Sequence, residues 1–304
     1  VATYTVVDGD RADLKSAIEG GLYDVIEVPK GNYDGADDIT LSRGDITIVG
    51  EGPSNSVVRI TADNAVNCLK ISTAGGSLSN ISIRDLGFST TVANPSNVLD
   101  GIAWDGTAST TLTLVAVQRC GFSGKLREGL RLAGADAAHT GTAIRLEGLS
   151  ATGSRKAGIR LDFCTAPMLY SNRVTGCNSS NGTAVDTDAQ VLLKSCGAFS
   201  VVCLDVETLP TNVAATKTGL CLSACYGGDV LGYACVQGGT TFFANSIMLN
   251  YLNGSRGVTW RGLNWSYITT PVGIDNSTRG QLSPFNGSVV QLAPSTAMVD
   301  ALQP

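Results

Sequence analysis

The chain has 304 residues, of which 15% are charged and 43% hydrophobic, with 36 Gly, 9 Pro and a formal net charge of −5. Its hydrophobic patterning is nearly unbroken, which excludes a disordered chain. It has no Lys/Arg block, and a nucleic-acid partner would need a concentrated basic face. No apolar run reaches about 18 residues, so membrane insertion is not expected.

The first element is a short strand at residues 3–7, followed by a turn at Asp8-Gly9-Asp10. The first residues carry no basic-then-apolar export signal, and the start at Val1 rather than Met leaves room for an upstream segment. Ala12, Leu14, Ala17 and Ile18 give one apolar helical face, with Asp10 placed to cap the helix and Gly20-Gly21 to end it. A lone amphipathic helix ahead of a run of strands is suited to closing the open end of a solenoid, where an uncovered edge would pair with another chain. Next come Ile26-Glu27-Val28-Pro29-Lys30-Gly31-Asn32-Tyr33, Ile46-Thr47-Ile48-Val49-Gly50-Glu51-Gly52 and Val57-Val58-Arg59-Ile60.

The helix and these three segments, spanning residues 8–60, resemble the opening of the pectate-lyase-like superfamily, which includes bacteriophage tailspikes. The resemblance implies an all-β chain, a right-handed parallel β-helix with a short N-terminal capping helix. It also implies a virion appendage made in the host cytoplasm, with host-surface polysaccharide as partner, other virion proteins as neighbours, and a homotrimer as the assembly.

Farther along, one pentapeptide pattern (small, apolar, variable, mostly apolar, variable) recurs at residues 68–72, 101–105, 129–133, 158–162, 184–188 and 203–207. Its apolar centres are Leu69, Ile102, Leu130, Ile159, Val185 and Leu204. This is period-2 alternation, and a return about every 20–30 residues reads as one strand per solenoid coil. A second series starts near Ile46, Ile81, Leu112, Ile144, Met168, Val191, Leu220 and Ile247. Two series in step predict at least two parallel sheets along one axis, right-handed because strand crossovers are. The rhythm fails near Pro271. The expected division is therefore 1–40 for the first strand and cap, 41–270 for the β-helix and 271–304 for a non-coiled end.

The nine cysteines are odd in number and lack Cys-x-x-Cys or Cys/His spacing, which argues against zinc and against a full disulfide framework. We expect buried, reduced thiols at equivalent positions of successive coils, with Cys196 and Cys225 after matching strands and Cys120 in the same corner. Asn-x-Ser/Thr triplets, such as those at Asn80 and Asn264, read as turn chemistry.

Stacking the pentapeptides places Arg160/Asp162, Asp186/Asp188 and Asp205/Glu207 on one outer face, with Arg131 one coil earlier. Neighbouring coils are about 4.8 Å apart and alternate residues about 6.6 Å apart. Carboxylates so close raise one another's pKa. A protonated acid beside an ionised one is the pair that glycoside hydrolysis uses. Asp162, Asp186, Asp188, Asp205 and Glu207 are accordingly the candidate catalytic residues of a polysaccharide depolymerase, with Arg131 and Arg160 as substrate contacts. A hydrated, Arg-neutralised ladder and a Ca²⁺ site are the competing readings of the same face.

The single histidine, His139, matches no polygalacturonase pattern, and the pectate lyase motifs are absent. A polysaccharide lyase of the superfamily therefore ranks third, behind a glycan-binding or glycan-cleaving appendage and a non-catalytic adhesive or structural one. Trp260, Trp265 and Tyr267, and likewise Phe242-Phe243, could stack on sugar or else plug the last coil. Trp104 falls on an inward position. No cofactor motif and no metal-ligand spacing is present; Gly75-Gly76 and Gly227-Gly228 open no helix, so no phosphate loop is implied.

Overall fold

In a computed structural model, the structure describes residues 1–177, 189–208, 217–237, 246–252, 255–261, 264–266, 270–274 and 289–291. Among these residues every strand pairs in parallel, and the strands sort into three sheets running along one axis: sheet A with eleven described strands, sheet B with nine and sheet C with ten. One coil shows the path. Leu78–Arg84 lies in sheet A, Gly87–Thr90 in sheet B and Ile102–Asp105 in sheet C. Leu112–Gln118 then returns to sheet A beside the start, pairing Leu112 with Leu78, Val115 with Ile81 and Val117 with Ile83. This is a right-handed parallel β-helix, the hand following from the crossover rule.

In-phase stacking places like side chains in columns. In sheet C, Ile71, Trp104, Leu132, Leu161, Leu193 and Leu222 are successive lateral neighbours. All six are fully buried. The bore is thus a continuous hydrophobic rod, and Trp104 is core, as its inward position predicts. The helix Arg11–Glu19 is capped by Asp10, whose side chain accepts from Asp13 N at 3.1 Å. Its Leu14 and Ile18 face the same small apolar cavity as Val28, Ile39, Ile48, Val58 and Leu69, which closes the N-terminal end of the rod.

The corners are set by stacked residues in the left-handed region. Asp45, Asn80, Leu114, Ala143, Ala166, Ala198, Gly227 and Gly257 occupy one position of successive coils, with φ between 50° and 65°. A residue with a Cβ adopts this conformation at a cost of roughly 1–2 kcal/mol, whereas Gly adopts it freely. Gly227 and Gly257 show that the position accepts Gly. Leu114 is exposed, so its side chain contributes little packing in return. Leu114→Gly is expected to stabilise the protein by about 0.5–1 kcal/mol after the entropy cost of Gly, and Leu114→Ala to be nearly neutral. Thermal unfolding of the two variants checks this; equal midpoints would mean the corner carries no strain.

One feature extends the sequence reading of at least two sheets, and another differs from it. A third sheet exists, built on the short column Phe88, Phe122, Ala151, Val174 and Val206, with Phe88 and Phe122 stacked at 5.5 Å. The two expected series also exchange sheets in the second half. Ala189–Lys194 and Lys217–Ser223, expected alongside Met168, belong to sheet C. Asp205–Thr208, expected in register with Ile159, belongs to sheet B. The reason is physical: alternation with period 2 marks a strand but is identical in all three sheets. The stack also takes in Val25–Val28 and Gly31–Gly35 near its start and Thr270–Ile274 and Val289–Gln291 near its end.

Every cysteine whose side chain is described is free. Cys164, Cys196 and Cys225 follow one another up the corner between sheets C and A, their thiols at 3.8, 3.5 and 3.3 Å from the carbonyls of Leu132, Leu161 and Leu193. Burial pushes the thiols of Cys196 and Cys225 well up and that of Cys120 to about 12. Cys120 lies in the corner between sheets A and B and not, as expected, with the other two. These are packing groups, not nucleophiles.

Candidate functional site

The residue two places before the first apolar position of each sheet C strand forms its own column: Asn67, Asp100, Glu128 and Ala157. The backbone ladder reaches this far, with Cys68 N donating to Asp100 O and Gly101 N to Glu128 O. The side chains continue it. Asp100 N donates to Asn67 Oδ1 and Glu128 N to Asp100 Oδ1, each at 3.2 Å. Small residues must follow: a Cβ on Gly101 would lie 2.6 Å from the Phe122 ring. The result is two carboxyl groups held almost out of water, Asp100 at 0% and Glu128 at 2% exposure.

Three arginines interleave with these acids. Arg127 forks onto Asp100, Nε to Oδ1 at 2.9 Å and Nη2 to Oδ2 at 2.6 Å. Arg131 reaches Asp100 Oδ2 at 2.9 Å through Nε and Asp105 Oδ2 at 2.6 Å through Nη2. Arg160 grips Asp162 Oδ2 with Nε and Nη2, at 2.9 and 2.6 Å, and extends Nη1 to Glu128 Oε1 at 3.3 Å. Arg131 and Arg160 are direct lateral neighbours in the ladder.

Glu128 is the group this lattice serves worst. Its Oε2 lies 3.3 Å from Arg131 Nε yet makes no hydrogen bond, so it is a buried acceptor without a partner. Asp162 Oδ1 is another. Burial, and then the charge of Asp100, push the Glu128 carboxyl up to about 7 against the pull of Arg160, Arg131 and Arg127. A carboxylic acid that is still partly protonated near neutrality can donate a proton. Above it opens a recess of about 120 Å³ lined by Arg127, Glu128, Arg131, Lys156 and Arg160.

The structure therefore brings together three of the residues expected from the sequence, Asp162, Arg131 and Arg160, and separates the others from them. The coil after Ile159–Asp162 places Lys194, not Asp188, beside Asp162. Asp186 and Asp188 lie outside the described residues. Asp205 and Glu207 stand on sheet B next to Arg173, at 3.5 and 3.6 Å, so the single acidic face they were expected to share with Arg160 is not formed. Trp260 falls in the sheet A strand Arg256–Arg261 and Trp265 in the sheet B strand Asn264–Ser266, with side chains outside the description, as are Tyr267, Phe242 and Phe243. His139 sits in a loop, its Nδ1 at 2.8 Å from Asp136. Asp100 and Glu128, the centre of the cluster, were missed. Their signal was present as two acid-Gly-apolar triplets, Asp100-Gly101-Ile102 and Glu128-Gly129-Leu130, one coil apart.

No family model matches the sequence, and no curated protein matches it. Solved structures do. The Acinetobacter phage vb_AbaP_AS12 gp42 tailspike superposes with a TM-score of 0.55 at 10% identity, over 96% of this chain and 58% of its own. The enzymatically active domain of bacteriophage CBA120 tailspike protein 2 gives 0.54 at 13% identity, over 94% of this chain and 48% of its own. The chain shares the tailspike fold. It spans about half the length of these two tailspikes. The same fold occurs in the DFA-IIIase of Arthrobacter chlorophenolicus A6, crystallised as a C387A mutant with DFA-III, at a TM-score of 0.57 and 13% identity, over 94% of this chain and 80% of its own. At such identities the likeness concerns the tailspike-like β-helix and not the residues on its surface.

Proposed function

We propose that this β-helix belongs to a phage virion appendage, a tailspike or tail fibre, that binds host-surface polysaccharide and hydrolyses it at the Glu128 recess. The observation that carries the reading is a pair of buried carboxyls beside a recess of a tailspike-like solenoid, Glu128 and Asp162, each with one unpartnered oxygen and both bonded to Arg160. Glu128 donates its proton to the glycosidic oxygen as the bond from that oxygen to the sugar carbon breaks. Water forms the new bond to that carbon and gives its proton to Asp162, whose Oδ1 is the unpartnered acceptor. Arg160, which touches both carboxyls, holds the pair in place. The assembly is a homotrimer carried on the virion, with other virion proteins as its attachment.

One observation favours an adhesive appendage without turnover: Arg127, Arg131 and Arg160 are all already committed to carboxylates. A self-neutralised lattice of this kind can also serve as a rigid wall. The two readings part in a single experiment, in which capsular polysaccharide and lipopolysaccharide from candidate hosts are incubated with the protein at pH 6–7. New reducing ends together with surface binding are the expected result. Binding without cleavage leaves the adhesive reading, and absence of both removes the polysaccharide partner.

A further inference from the structure

We infer that the recess beside Glu128 takes the carboxylate of an acidic sugar, so that the polysaccharide engaged is a polyanion of uronic or sialic type and not a neutral glycan. The inference rests on the polysaccharide reading above and adds the class of glycan.

The argument is one of charge matching in a confined place. Four of the five side chains lining the recess are cations. The three arginines are all engaged by carboxylates: Arg127 by Asp100, Arg131 by Asp100, Asp105 and Glu128, and Arg160 by Asp162 and Glu128. Lys156 is left over. It is exposed at the rim and its ammonium has no ion-pair partner among the described residues. Glu128 does not pair with it, because its buried carboxyl faces Arg160 and Arg131, each at 3.3 Å. The recess therefore presents one ammonium without a counter-ion among the described residues, which is the complement of a monoanion.

A neutral hydroxyl would leave that charge unmatched, and a dianion would overfill it. A sugar carboxylate held by Lys156 and the outward edges of the guanidiniums fits, since planar forks and carboxylates are geometric complements. It also serves the chemistry: an anion seated beside Glu128 raises the cost of ionising it, so the bound substrate itself keeps the acid protonated.

The test uses the full chain and a surface array of alginate, polygalacturonate, polysialic acid and candidate-host capsules, each beside its carboxyl-reduced form, with dextran as a neutral control. The expected result is binding confined to carboxyl-bearing polymers, lost on reduction and weakened about tenfold or more by Lys156→Met, a change at an exposed position that leaves the fold intact. Binding that survives carboxyl reduction, as to a neutral or phosphodiester-bearing polymer, or that Lys156→Met leaves unchanged, overturns the acidic-sugar inference while the polysaccharide reading stands. Silence of the whole array removes both.

Discussion

Replacing Glu128 by Gln is expected to lower glycan turnover by roughly 10²-fold or more while making the protein more stable at pH 8. The two effects have one cause. The carboxyl of Glu128 titrates near its ordinary value of 4.5 in an unfolded chain but at about 7 in the folded one, because burial and then Asp100 penalise its charge. At pH 4 the group is protonated in both states and the stability contributed by the neutral form is fully present. As the pH rises from 4.5 through 7 the unfolded chain ionises freely and the folded one does not, so that contribution is lost across this window. Gln has the shape of the protonated acid and cannot ionise, so the variant keeps what the wild type loses, on the order of 3 kcal/mol at pH 8 and somewhat under about 1 kcal/mol at pH 5. Urea unfolding at the two pH values reads the stability arm, and release of reducing ends reads the other. A variant no more stable at pH 8 than at pH 5, relative to wild type, would mean that Glu128 is charged in the fold. Undiminished turnover would mean that it is not the proton donor.

Much of the fold was legible because its determinants are local and repeated. The Asp10-capped helix, the Ile46–Gly50 strand and the alternation around Leu69, Ile102, Leu130 and Ile159 each announce themselves in a few residues, and all four of those apolar centres do stack in sheet C. Sheet B was not legible, because its strands are as short as Gly121–Phe122, too brief to show a period. Nor was the assignment of Asp205 to sheet B, since Leu204-Asp205-Val206 alternates just as Ile159-Arg160-Leu161 does. A residue's sheet depends on how much chain lies in the loops before it, and loop length carries no periodic mark.

The site was half legible for a related reason. Outward positions within the strands yielded Arg131, Arg160 and Asp162, whose side chains alternate away from the bore. Asp100 and Glu128 precede the strands, where alternation has not begun. Their burial comes from the arginines folding over them and not from a hydrophobic face, so no hydropathy pattern could point to them. The acid-Gly-apolar triplets are visible only once the coils are laid side by side.

Asp100 is the residue on which the lattice depends, and Asp100→Ala is expected to cost about 3–5 kcal/mol of stability. Its carboxylate is fully buried, accepts both arms of Arg127 and the Nε of Arg131, and receives the backbone N–H of Glu128. Ala would leave Arg127 without its counter-charge and the Glu128 N–H without an acceptor. Asp105 still holds Arg131, which is why the loss is bounded. Asp100→Asn separates charge from shape: it preserves an acceptor for the Glu128 N–H, should cost less than Ala, and removes the negative neighbour that helps keep Glu128 protonated. With Arg127 and Arg131 also released from Asp100, the Glu128 carboxyl should ionise more easily. The pH above which turnover falls should then move down from about 7 in Asp100→Asn. Denaturant unfolding of both variants and a pH profile of the Asn variant measure these effects. A profile that keeps its upper limb in place, with stability reduced as expected, would show that Asp100 supports the coil without tuning the acid.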